Sequence, residues 1–333
     1  RSLINSCEKI ERKAYNGDED TLETAEKAIF DLAENGQNSE LEKIDPYLDS
    51  VIAKFEEINK TGGETQGIPS GFYAIDEITR GWQDRDLIVI AARPAVGKTA
   101  LSMNFIVNAA LKKKKCAVFS LEMSKAQLVQ RMICSVAGVD MGKALSGKLQ
   151  SADWSKLFDA MNTLKACDIY IDDSTANTPS TIKSKCRKLK RERGLDLIMI
   201  DYLQLMYSDK KTDNRQQEVS DISRALKMLA MELNIPVIAL CQLSRTVESR
   251  EDKRPLMSDL RESGSIEQDA DIVAFLYRDD YYNKAARTDN NTSLSELIIG
   301  KHRNGTTGTI NLLFKRDTST FLNFTKEEGE VSE

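Results

Sequence analysis

The sequence is notable first for what it lacks. In 333 residues there is a single histidine, His302, and six cysteines with no C-x-x-C pair among them, so no zinc-ligand spacing can be assembled. The cysteines, at positions 7, 116, 134, 167, 186 and 241, fall mostly within apolar runs, as reduced core cysteines of a cytosolic protein do. No run of eighteen apolar residues exists, which argues against a transmembrane helix. Nothing near Arg1 resembles a charged-then-apolar secretion signal. The chain also lacks an initiator Met, the pattern of a piece of something longer. No internal repeat is visible. The net charge of −5 leaves no global nucleic-acid footprint, so any nucleic-acid contact has to be local.

What is present is a globular composition, 41% hydrophobic and 30% charged. The most informative stretch runs Asp86-Leu-Ile-Val-Ile-Ala-Ala-Arg-Pro-Ala-Val-Gly-Lys-Thr99. An apolar strand over Leu87–Ala91 passes through a tight turn into a helix over Ala100–Leu111, with Leu101, Phe105, Ile106 and Ala109 on one face. Strand, phosphate-sized loop and helix are the context in which Gly97-Lys98-Thr99 reads as a P-loop. The backbone N–H groups of Ala95, Val96, Gly97, Lys98, Thr99 and Ala100 converge on one spot, which suits a triphosphate. Lys98 can reach the β- and γ-phosphates and the Thr99 hydroxyl can ligate Mg²⁺. The usual motif begins with Gly, whereas this one has Ala92 at that position.

Around this stretch the chain divides in two. Residues 1–61 are charged and helical in pattern, with helices expected over Thr21–Ala33, stopped at Gly36, and over Leu48–Asn59. Two amphipathic helices make a poor core, so this segment either caps its own domain or packs on a neighbouring subunit. A turn-rich linker, Gly62–Gly71, leads into a second domain over 62–333. There strands are expected at Cys116–Leu121, Ile169–Asp172, Leu197–Asp201 and Pro236–Cys241, alternating with helices at Lys125–Ala137, Trp154–Leu164, Ser180–Arg193 and Val219–Leu233. Unbroken apolar strands imply a mostly parallel α/β sheet buried on both faces. Asp271–Tyr277, Leu297–Lys301, Thr309–Phe314 and Thr320–Phe324, separated by turns, are expected as antiparallel additions.

Several residues could run a reaction. Asp201 ends a strand expected to lie beside the P-loop strand, where it would meet the Mg²⁺ shell. Glu122 either orients and deprotonates an attacking water or is a solvated acid opening the next helix. Gln242 either senses the γ-phosphate or caps its strand. Lys301 and Arg303 flank His302 at a strand end; within one subunit they look like surface charge, but in a ring they could reach a neighbour's triphosphate. His302 itself is not expected to be catalytic. The polar loop Asp259–Ser265, with Arg261, Glu262 and Gly264, could offer backbone N–H groups to nucleic-acid phosphates. The basic run Lys183–Arg193 reads as a solvated helix face or, less readily, a DNA contact. Tyr277 and Arg278 are candidates for a nucleobase by location only.

With these residues assembled the chain resembles the DnaB-type replicative DNA helicases, RecA-like P-loop motors, over nearly everything from residue 18 to 324. The specific stretches are Ile68-Pro-Ser-Gly-Phe-Tyr-Ala-Ile-Asp76, Ala91-Ala-Arg-Pro-Ala-Val-Gly-Lys-Thr99, Ser120-Leu-Glu-Met-Ser124, Ile200-Asp-Tyr-Leu-Gln-Leu205, Asp259–Ile272 and Lys301–Gly305. Ala92 is ordinary in that family. The resemblance implies a hexameric ring that hydrolyses ATP with Mg²⁺, moves along single-stranded DNA and parts the duplex. It implies Lys98 and Thr99 on phosphate and metal, Glu122 as catalytic base, Asp201 as metal-shell acid and Gln242 as coupling residue. Arg303, with Lys301, would be the finger supplied in trans, and Arg261, Glu262 and Gly264 would be DNA-backbone contacts. Residues 18–35 would be a linker helix docked on the adjacent protomer. A loader is a further partner it allows. The family's helical N-terminal domain, which contacts primase, precedes the point where this chain starts, which makes primase the weakest partner expectation. A bacterial cytoplasmic setting follows. The rival readings are an ATP-switched RecA-like DNA-binding scaffold of recombinase or loader type, and a small-molecule kinase, for which no acceptor pocket is readable.

Overall fold

A computed structural model describes residues 2–17, 43–60, 66–175, 177–209, 214–283 and 291–325, with isolated positions between 21 and 28. The linker helix expected over 18–35 falls mainly outside these residues. Contacts divide the chain into two units, Arg1–Gly62 and Gly63–Glu333.

The first unit holds α1 (Ser2–Asn16) and α2 (Asp45–Lys60). Asp45 stands in the first turn of α2 and Lys60 in its last, each complementing the helix dipole. Leu48, Val51, Ile52 and Phe55 of α2 are exposed.

In the second unit the segment expected to be a linker instead joins the core through Ile68 and Phe72. Ile68 bridges Trp82, Ser70 donates its N–H to Asp76 Oδ1 at 2.8 Å, and Ile68, Ser70 and Phe72 are buried. The turn chemistry of this stretch serves close packing: a Cβ on Gly71, which sits at φ +85°, would overlap the Asn108 side chain. A short helix, α3 (Tyr73–Thr79), follows.

The elements then alternate: β1 (Leu87–Ala92), α4 (Lys98–Leu111), β2 (Cys116–Ser120), α5 (Lys125–Ala137), α6 (Met141–Leu145), α7 (Ser151–Lys165), β3 (Ile169–Asp172), α8 (Pro179–Arg193), β4 (Leu197–Asp201), α9 (Arg215–Leu233) and β5 (Val237–Gln242). Their ends are set by local chemistry. Ser124 and Gln127 form a capping box at the start of α5, and Gly138, at φ +64°, closes it. Thr178 caps α8 ahead of Pro179, and Asn234, at φ +51°, ends α9.

After β5 come α10 (Gly264–Asp269), β6 (Ile272–Arg278), α11 (Asp279–Tyr282), β7 (Thr292–His302), β8 (Gly308–Lys315) and β9 (Thr320–Asn323). Among the described residues all nine strands form one sheet in the order β3-β2-β4-β5-β1-β6-β7-β8-β9. β6 is the sixth parallel strand rather than the first antiparallel one: Ile88 pairs with Ile272 in parallel, and antiparallel pairing begins only at β7 and continues through β8 to β9, so that β7 and β9 run against the parallel set and β8 runs with it. β6 is buried along its whole length, as a strand between covered faces is, whereas β7 and β8 alternate buried and open positions.

Period-2 geometry sends Ile88, Ile90 and Ala92 into one core and Leu87, Val89 and Ala91 into the other. On the first face lies α4, whose Phe105 takes the rings of Phe72 and Trp82 edge-on at 5.6 and 5.2 Å. On the second lie α8 and α9, through Ile182, Cys186, Ile222 and Leu226. The basic run of α8 therefore has its apolar side inward. Lys185 pairs with Asp172, and Lys183 and Arg187 both pair with Glu232.

Candidate functional site

The site lies where the parallel strands end. β1 stops at Ala92, the backbone turns with Ala95 at φ +62° and Gly97 at φ +118°, and α4 begins at Lys98. Glycine is needed at 97 twice over, since a Cβ there would adopt a left-handed strain and stand 3.2 Å from the Phe321 ring. Among the described residues no backbone carbonyl takes the N–H groups of Gly97, Lys98, Thr99 or Ala100. These are the orphan donors of a helix start, reinforced by its dipole, and they make an anion cradle.

Asp201, at the end of β4, is fully buried. Its Oδ2 accepts the Thr99 hydroxyl at 2.7 Å, while its Oδ1 has no hydrogen-bond partner. The expected adjacency of β4 and β1 does not hold: β5 lies between them. Thr99 reaches Asp201 because α4 packs across β1, β2 and β4. The peptide after Asp201 is cis, and the Tyr202 ring that follows lies 4.4 Å from Lys98 Nζ.

Burial dominates the electrostatics here. It pushes the Asp201 carboxyl above its ordinary range, against the pull of Lys98 and the Thr99 hydrogen bond. It pushes the Lys98 ammonium below its own range, against Asp201 and Glu122. Each charge is held in a poorly solvated place beside a partner that only partly compensates it. An orphaned carboxylate oxygen next to a hydroxyl is an oxygen-only donor set of the kind a hard divalent cation takes, so the residues fit Mg²⁺.

Two further strand ends meet this corner. Glu122 lies just beyond β2, exposed, in a turn tied by Ser120 Oγ to Met123 and by the Leu121 N–H to the Asp201 carbonyl at 2.7 Å. Its charge is felt at both Lys98 and Tyr202. Gln242 pairs with Ala92 at the mouth of the loop. The sequence reading missed its partner: the Gln204 amide brackets the Gln242 backbone, accepting its N–H and donating to its carbonyl, both at 3.0 Å. Gln204 stands within Ile200–Leu205, where a polar side chain among apolar ones was the available signal. Also missed was Arg93, whose guanidinium binds the Leu243 carbonyl and Glu248.

The stretch expected to be a polar loop is largely helical. A 3₁₀ segment covers Met257–Ser263 and α10 follows directly, so Arg261 and Glu262 stand in the former and Gly264 opens the latter. Asp259 is not available to a ligand, because its buried carboxylate accepts Arg250 and the Leu256 N–H, both at 2.7 Å. The Ser244 N–H reaches the Asp259 carbonyl, which links this segment to the end of β5.

Lys301 and Arg303 are not at this corner. β7 runs antiparallel to β6, with His302 opposite Ile272, so its end lies at the sheet edge away from the P-loop. There Lys301 Nζ donates to the carbonyls of Glu267 and Ala270 at 2.5 and 2.7 Å, and Arg303 binds the Gln268 carbonyl and pairs with Asp271. Tyr277 carries Arg254 over its ring at 5.0 Å and donates its hydroxyl to Asp279. Arg278 is buried, on Asp280 and on the Val96 carbonyl.

A phosphate cradle at the end of one strand, with a buried acid reaching it across an intervening strand, defines a P-loop nucleotide-using enzyme with RecA-like strand order. The chain belongs to the DnaB-like helicases: residues 67–323 match the model of the DnaB-like helicase C terminal domain. It is 48% identical over 328 residues to the replicative DNA helicase DnaC of Bacillus subtilis (strain 168), covering 97% of this chain and 72% of that one. It is 47% identical over 336 residues to the replicative DNA helicase DnaB of Geobacillus stearothermophilus, covering 99% and 73%. Among solved structures, one of an isolated ATPase domain superposes with a TM-score of 0.80 at 41% identity, covering 86% of this chain and all of that one. A DnaB-like replicative helicase described with its interactions with primase gives 0.82 at 37% identity, covering 97% and 76%.

Proposed function

We propose that this chain is an ATP-dependent replicative DNA helicase that works as a head-to-tail hexameric ring on single-stranded DNA. The observation that carries the ring is the division of charge between two sheet edges. The cradle, Lys98, Thr99, Asp201 and Glu122 gather at one edge, while Lys301 and Arg303 stand at the other. Head-to-tail packing brings the second edge of one subunit to the first edge of the next, and repetition with rotation closes a ring.

In this reading ATP lies on the N–H groups from Ala95 to Ala100. Lys98 meets its β- and γ-phosphates, and Thr99 with Asp201 would hold Mg²⁺, which supplies charge neutralisation on the phosphates. Glu122, solvated and close to Lys98, takes the proton of the attacking water. Arg303 of a neighbour, assisted by its Lys301, stabilises the charge of the transferring phosphoryl group; such a finger is worth ~10³ or more in rate. Gln242 reports the state of the nucleotide along β5 to the segment holding Arg261, Glu262 and Gly264, which contacts the DNA backbone. Residues 1–61 serve as a linker segment whose exposed apolar α2 face packs on an adjacent subunit. The setting is the cytoplasm at the replication fork, with a loader as a further partner; among the described residues no helix is long and apolar enough to cross a membrane.

The test is ATP hydrolysis with and without single-stranded DNA, together with unwinding of a forked duplex. Stimulation by DNA and ATP-dependent strand separation are expected. Hydrolysis indifferent to DNA, with no unwinding, would move the assignment to an ATP-switched scaffold.

A further inference from the structure

Arg278, the last residue of β6, stands behind the phosphate loop. Its Nη1 donates to the Val96 carbonyl at 3.1 Å, and its Nε and Nη2 grip Asp280 Oδ1 and Oδ2 at 3.0 and 2.8 Å. One face of the guanidinium is covered by Phe314, with the ring centroid 3.9 Å away. Phe314 packs on Phe321, the ring that fills the space beneath Gly97. Asp280 is itself anchored by an ion pair with Arg316 at 3.3 Å. Burial pushes the Asp280 carboxyl up, but Arg278 and its other partners outweigh that and hold it below the usual range. The side chains of Arg278 and Asp280 are 9% and 3% exposed. The pair is thus a fixed fork whose third arm ends on the loop.

The target of that arm is specific. The Val96 carbonyl and the Gly97 N–H are opposite ends of one planar trans peptide, so a hydrogen bond that fixes the carbonyl aims the N–H the other way. That N–H is one of the unclaimed donors at the start of α4. A charged donor on the carbonyl also polarises the amide and makes its N–H a stronger donor. We propose that Arg278, clamped by Asp280, is a positioning residue of the phosphate site, holding and polarising the Val96–Gly97 peptide so that it meets a polyphosphate already oriented. This rests on the reading of the loop as a nucleotide-phosphate cradle.

The experiment is equilibrium binding of AMP, ADP and ATP with Mg²⁺ to the full chain, to Arg278→Lys and to Asp280→Asn, with thermal unfolding of each. A lysine can hold either Val96 or Asp280 but cannot fork to both. Arg278→Lys should weaken ADP and ATP roughly tenfold, the loss of one charge-assisted hydrogen bond, and leave AMP unchanged. Asp280→Asn should act in the same direction and by less, because its amide oxygen still accepts one bond. A uniform loss across all three nucleotides would overturn the proposal, since general destabilisation or a nucleobase contact gives that pattern. So would unchanged ADP binding by a folded variant. If Arg278→Lys melts below the assay temperature, Asp280→Asn decides by the same criteria. Failure of the unaltered chain to bind ADP would instead reject the cradle reading itself, and the inference with it.

Discussion

At the scale of single residues the proposed site separates holding from reacting. Asp201 is a buried charge at the cradle and Lys98 a half-buried one whose ammonium is held below its ordinary range by desolvation, whereas Glu122 is exposed beside them. Removing the Glu122 charge should therefore spare nucleotide binding and slow the chemistry. Glu122→Gln is expected to bind ATP like the parent and to lower single-turnover phosphate release by about 10²–10⁴. Weakened binding of similar size would show that Glu122 acts on the ground state.

Asp86 makes a second prediction at this scale, at the opposite sheet edge. Burial and the neighbouring Asp271 raise its carboxyl to about 6, against the pull of Lys227 and Arg303. A raised carboxyl favours the native state at low pH and costs stability as pH climbs through the folded value. The penalty should develop between about pH 4 and 6 and reach at most about 3 kcal/mol above that. Asp86→Asn should thus melt higher than the parent at about pH 7.5, and the gap should narrow as pH falls from about 6 towards 4. A gap independent of pH would remove Asp86 as its cause.

At the scale of elements, β7 is where packing and placement are one problem. Gly300 lies where the register with β6 shifts between Val273 and Ala274, and a Cβ there would come within 2.6 Å of the Phe275 ring. Phe275 is buried and cannot move aside without repacking both β6 and the core behind it. Gly300→Ala should cost about 1–3 kcal/mol in denaturant unfolding, as overpacking does. Because the displaced strand carries Lys301 and Arg303, hydrolysis should fall while binding of ATP to the remote cradle persists. Parallel loss of both would mean that the strain spreads through the sheet to β1.

For the whole molecule the decisive matter is whether sites are shared. Arg303→Ala and Lys98→Ala should each be nearly inactive alone. Mixed, some interfaces join an intact cradle to an intact finger, so part of the activity should return, measured as ATP turnover against mixing ratio. Strictly additive dead activity would mean that each subunit holds its finger for itself, and the head-to-tail arrangement would fall.

Much of this was legible in the residues. The P-loop, the strand ends at Glu122, Asp201 and Gln242, and the switch to turn-separated strands near the C-terminus all follow from local patterns: apolar runs, glycine placement, carboxylates at strand ends. Local pattern determines which residues form an element, because propensity and hydrophobic period act over a few neighbours. Strand order was not local. β5 inserts between β4 and β1, and β6 joins the parallel set, because burial on both faces is a property of the assembled sheet. Nor could sequence show that Asp259 is bound by Arg250, that Gln204 brackets Gln242, or that Arg278 props the Val96 carbonyl. Those contacts join residues 9, 38 and 182 positions apart, and only the folded sheet brings them within hydrogen-bond reach.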